Sequence, residues 1–105
     1  MLQEMPVMSS GGGGGPIEMT GTTNLTWAAS ANLTIPTTKK AKAFVLTVKD
    51  TDYFTIYAHA DDGKVYKSSD NAQWSSTIAT FNDNSIYINN YYTGVNKTCA
   101  VTIIY

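Results

Sequence analysis

The stretch AKAFVLTVKDTDYFTIYAHADDGKVYK, Ala41 to Lys67, decides the fold. Its apolar residues alternate instead of recurring at helical spacing. Residues 41–49 carry Phe44, Leu46 and Val48 on one face and Ala43, Val45 and Thr47 on the other, the period-two pattern of a strand with one face in a core. Residues 53–60 repeat it, with Phe54, Ile56 and Ala58 opposite Tyr53, Thr55 and Tyr57. Asp50-Thr51-Asp52 supplies turn residues between the two runs, so they read as a hairpin. Asp61-Asp62-Gly63 then turns the chain into Lys64-Val65-Tyr66-Lys67, because Asp-Gly suits the positive φ angles of a tight turn.

The pattern extends in both directions. Downstream runs are Trp74 to Phe81, Ser85 to Tyr92 after Asn82-Asp83-Asn84, and Lys97 to Tyr105 after Thr93-Gly94-Val95-Asn96. Upstream, Ile17 to Met19, Leu25 to Ala28 and Asn32 to Ile35 are shorter candidates. Short strands at this spacing, with no apolar stripe at helical period, predict an all-β fold. The expected form is an antiparallel β-sandwich, jelly-roll-like, of about eight strands with an N-terminal extended tail. Thr, Ser and Asn number 15, 8 and 8 of the 105 residues, which suits strands whose outer face meets water. A domain of this size buries only about two-thirds of its unfolded surface, so oligomerisation would add stability.

A run of five glycines, Gly11 to Gly15, flanked by Ser9-Ser10 and Pro16, divides the chain. Residues 1–16 read as an apolar anchor peptide plus a flexible spacer, and residues 17–105 as the β domain. The anchor side chains are Leu2, Met5, Val7 and Met8, too few to form their own core and suited to docking on a neighbouring subunit. The glycine tract ends in Pro16-Ile17-Glu18 without the Gly-Lys-Ser/Thr and following helix of a phosphate loop, which argues against nucleotide binding.

The chain carries 7 Lys, no Arg, 8 acidic residues and a net charge of −1. Nucleic acid is not an expected partner, since it calls for a cationic surface. No apolar run approaches the ~20 residues of a membrane span, so no membrane contact is expected. Met1 to Met5 lacks the features of a secretory signal, and the expectation is synthesis in a host cytoplasm without a signal peptide. Three Asn-x-Thr tripeptides, at Asn24, Asn32 and Asn96, therefore carry no weight. The single Cys99 lies in an alternating run and reads as a small buried hydrophobe.

Catalysis would need carboxylates or a His converging in a cleft. Most of the acids sit in turns, where Asp bonds nearby backbone, and the sole His59 has no sequence partner. No catalytic residue, no cofactor and no metal site is assigned. A calcium site from Asp50, Asp52, Asp61 and Asp62 across adjacent turns is the acidic alternative, without the Asp-x-Asp-x-Asp-Gly loop. The binding-competent feature is aromatic. Trp74, Asn89, Asn90, Tyr91 and Tyr92 could form a platform on which a sugar ring stacks while amides take its hydroxyls, and the same rings could instead fill the core or an inter-subunit seam.

The short apolar leader from Met1 to Met8, the Ser9-Ser10 and Gly11 to Gly15 tract, and the Thr-, Asn- and Tyr-rich domain from Ile17 to Tyr105 together resemble small structural proteins of tailed bacteriophages and prophages. The resemblance lies in layout across the whole chain and not in a motif. It implies a non-enzymatic tail, baseplate, head-decoration or fibre component located in the virion. The implied partners are other virion subunits, with a homo-oligomer, a trimer by preference, tethered through residues 1–10. Surface glycans are the alternative partner, for a carbohydrate-binding module or adhesin tip.

Overall fold

Alternation along Ala43–Val48 (β3) sends Phe44, Leu46 and Val48 into the core and leaves Val45 at the surface. The computed structural model describes residues 18–50, 53–92 and 94–105. The N-terminal anchor and glycine spacer, residues 1–16, lie outside the described residues. β3 pairs antiparallel with Phe54–His59 (β4), Phe44 opposite Ala58 and Leu46 opposite Ile56, as the alternation requires for one shared inward face.

The turn into Lys64–Lys67 (β5) differs in detail from a two-residue hairpin. Only Gly63 has positive φ, at 69°, and its N–H donates to His59 O at 3.0 Å. Its missing side chain is required twice. A Cβ there would sit 2.6 Å from Ala79 O, and that close approach accompanies the hydrogen bond from Ala79 N to Gly63 O at 2.7 Å.

The remaining strands are Thr23–Trp27 (β1), Leu33–Pro36 (β2), Gln73–Phe81 (β6), Ser85–Ile88 (β7) and Lys97–Ile104 (β8). The run expected to reach Tyr92 ends at Ile88; of the upstream candidate Ile17 to Met19, Ile17 lies outside the described residues and Met19 forms an isolated bridge with Ile104. All pairings are antiparallel, and no helix forms among the described residues. The hydrogen-bonded order is β1-β8-β3-β4-β5-β6-β7-β2, so the eight strands make one nearly closed, barrel-like sheet. In this order β3 to β7 follow one another as a meander, and β1, β2 and β8 join non-locally.

One core fills the curled sheet. Trp27, Phe44, Leu46, Val48, Ile56, Val65, Ile86 and Ile88 have no exposed surface. The long strand β6 turns the corner. Between the pairs Lys64–Ile78 and Tyr66–Gln73 it carries three more residues than β5, and Ser75 within this bulge takes φ 57°. Its first part then serves the β5 ladder and its last part, Ala79–Phe81, pairs with β7.

Urea denaturation should separate these roles. Phe44→Ala opens a cavity at the centre and is expected to cost about 3–5 kcal/mol, whereas Val45→Ala on the outer face should cost less than about 1 kcal/mol. Gly63→Ala should cost about 1–3 kcal/mol from its strained φ, and more if the Ala79 carbonyl cannot give way. Equal losses for the two β3 variants would contradict the in–out assignment.

Candidate functional site

Strand pairing alternates the direction of backbone groups, and this decides which groups the two ends of the sheet leave open. On β8 the even residues bond β3, as Lys42 N to Ile104 O and Lys49 N to Thr98 O show, so the odd residues serve β1. Thr23, Leu25 and Trp27 face Val101, Cys99 and Lys97, and the backbone groups of Asn24 and Thr26 point away. On the other end Thr37 N bonds Asn84 O, in phase with Ile35 and Leu33, so Thr34 and Pro36 point outward. Pro36 has no N–H, which makes β2 the poorer edge. No ladder joins β1 to β2 among the described residues.

Between the two edges runs an open groove of about 360 Å³. Its lining is mostly apolar: Thr23 and Leu25 from β1, Ile35 and Pro36 from β2, with Val101 and Ile103 from β8. Side chains span the seam where ladder bonds do not. At one end Thr38 N donates to Tyr105 Oη at 3.0 Å, and Lys39 Nζ lies 2.9 Å from Glu18 Oε1 and 5.8 Å from the centre of the Tyr105 ring. The Lys39 ammonium holds the Glu18 carboxyl below its ordinary value of 4.5, so this exposed pin is present above that pH and is lost as the pH falls below it. At the other end the chain itself connects β1 to β2, and this loop is held by Trp27 Nε1 donating to Ala31 O and Ala29 N donating to Asn96 Oδ1, both at 2.8 Å.

That second end holds the aromatic residues singled out from the sequence. The β6 bulge brings Trp74 against Trp27 at 5.8 Å, edge to face, and against Tyr92 at 5.4 Å. Phe54 completes the cluster, 5.5 Å from Trp74 and 5.3 Å from Tyr92, with Lys67 Nζ 5.4 Å above its ring. Trp74 and Tyr92 are thus half-buried packing partners of the core and not a flat exposed pair. Asn90 is also engaged, its amide donating to Thr77 Oγ1 at 2.6 Å. Asn89 is exposed, as are Tyr91 at 71% and Tyr53 at 72%. Trp27 and Phe54 come from other strands, and nothing local in the sequence marks their meeting with Trp74 and Tyr92.

The titratable groups are dispersed. Asp50 Oδ2 accepts from Thr98 N at 2.7 Å at one end of β4, while Asp62 Oδ1 accepts from Lys64 N at 3.0 Å at the other, with Asp61 beside it. Asp70 Oδ1 accepts from Ala72 N at 3.0 Å. The acids weighed as an alternative calcium site therefore stand on opposite ends of the barrel, with Asp50 and Asp62 bonding backbone in their turns; Asp52 lies outside the described residues. His59 is exposed and stands edge-on to Tyr57 at 6.2 Å. Among the described residues no three His, Cys, Asp or Glu side chains are grouped to hold a metal ion, and no helix is long and apolar enough to cross a membrane. A scan against protein-family models, a search of curated proteins and a search of solved structures each find no match to this chain.

Cys99 is fully buried on β8, and desolvation pushes its thiol from 9.0 up to about 11. A folded-state value above the unfolded one stabilises the fold below pH 9.0 and loses that contribution as pH rises toward about 11. At pH 8 a thiol reagent should label native protein about a hundredfold or more slowly than denatured protein. Equal rates would contradict the burial.

Proposed function

We propose that the protein is a non-enzymatic structural subunit that self-associates, and that its open seam is the surface through which it assembles. The observation that carries this reading is the pair of unpaired edges, β1 and β2, beside an apolar groove that the chain's described residues do not fill. Exposed backbone edges are templates for pairing with another chain, and small domains gain stability from such contacts. The neighbours β1–β8 and β2–β7 are also those of a jelly-roll-like wrap, and in that light the domain is a module of the kind that builds the virions of tailed phages, with other virion subunits as partners. The leader and glycine spacer of residues 1–16 fit the tether of such a subunit.

A second reading, a carbohydrate-binding module or adhesin tip, is favoured by one observation: Tyr53 and Tyr91, the chain neighbours of Phe54 and Tyr92 in the aromatic cluster, are exposed. Light scattering of the full chain across concentration, together with saccharide titrations followed by Trp fluorescence, separates the readings. Assembly predicts a homo-oligomer, a trimer by preference, and no saccharide-dependent change. A chain that stays monomeric and responds to a sugar would replace the first reading with the second.

A further inference from the structure

We propose that the groove between β1 and β2 receives residues 2–8 of a second copy of this chain, laid in extended form along the β1 edge. The proposal rests on the self-association reading and names the occupant of its surface. Three observations carry it. The first is what the groove lacks. Asn24 and Thr26 turn backbone donors and acceptors toward it, and its floor of Leu25, Val101 and Ile103 is apolar. An extended peptide supplies what is missing, with main-chain groups for the edge and alternate side chains for the floor.

The second observation is the leader itself. Leu2, Met5, Val7 and Met8 are apolar side chains with no core of their own. Seven extended residues span about 23 Å, enough to run the length of five-residue β1, about 17 Å. The third is where the leader joins the domain. Tyr105 N donates to Glu18 O at 2.7 Å and Thr20 N to Ile103 O at 3.0 Å, so the tether begins at the mouth of the groove. These residues run along the end of β8 in the direction of β1. A leader returning to its own groove would have to reverse within Ser9 to Pro16; a neighbour's groove requires no reversal, and the spacer reaches about 15 Å on average.

The test mixes two full-length chains, one carrying Val7→Cys and the other Thr38→Cys, under a mild oxidant. Thr38 is an exposed residue on the groove wall, and the native Cys99 is buried, so the new thiols dominate the chemistry. The expected product is a disulfide between the two different chains. Adding Leu2→Ser and Met5→Ser to the Val7→Cys chain should lower its yield about tenfold or more. Absence of the mixed product, or a disulfide formed only within a single chain carrying both Cys substitutions, overturns the proposal. Light scattering on the same samples separates the two failures: an oligomer without the cross-link refutes the occupant and leaves self-association standing, whereas a monomer refutes both.

Discussion

The sheet curls around one core and stops a single ladder short of closing, and the rest of the molecule is arranged around that gap. Every interior strand has a hydrogen-bonded neighbour on both sides, but β1 and β2 each present one side outward. The two edges are unequal. Pro36 removes a donor from β2, which blunts it, while β1 keeps both groups of Asn24 and Thr26. Side-chain contacts of Tyr105 and the Lys39–Glu18 pair at one end, and the connecting loop after Trp27 at the other, hold the edges near each other without joining them. They leave between them a groove with an apolar floor.

The two ends of the barrel do different work. At one, Trp27, Phe54, Trp74 and Tyr92 plug the core, and the three-residue excess in β6 is the device that swings Trp74 inward. The positive φ at Ser75 is the local conformational cost of that turn, offset by burying an indole against three rings. At the other, tight turns set by Gly63 and by Asn82 to Ser85 let the strands reverse, and the leader enters at Glu18 beside the C-terminal Tyr105.

Local periodicity made the β3 to β5 segment readable: Phe44, Leu46, Val48, Ile56 and Ala58 are buried and Val45 is not, as alternation requires. Strand order was not readable, because Thr23 meets Val101 and Leu33 meets Ile88 across most of the chain, and no local pattern encodes such pairings. Alternation is equally silent about whether eight strands form two facing sheets or one curled sheet. Among the candidate platform residues, Trp74 and Tyr92 do come together, but in the company of Trp27 and Phe54, since a bulge at a serine leaves no mark in composition. The edge character of β2 did have a visible sign in Pro36; the matching edge on β1 had none.

Amide hydrogen exchange of the full chain at low and high protein concentration tests the open seam most directly. The account predicts that in dilute protein the amides of Asn24 and Thr26 exchange far faster than those of Leu25 and Trp27, which bond β8, and that they gain protection as the chain assembles. Protection of Asn24 and Thr26 equal to that of Leu25 and Trp27 in a dilute monomer would mean that the barrel closes on itself, and would contradict it.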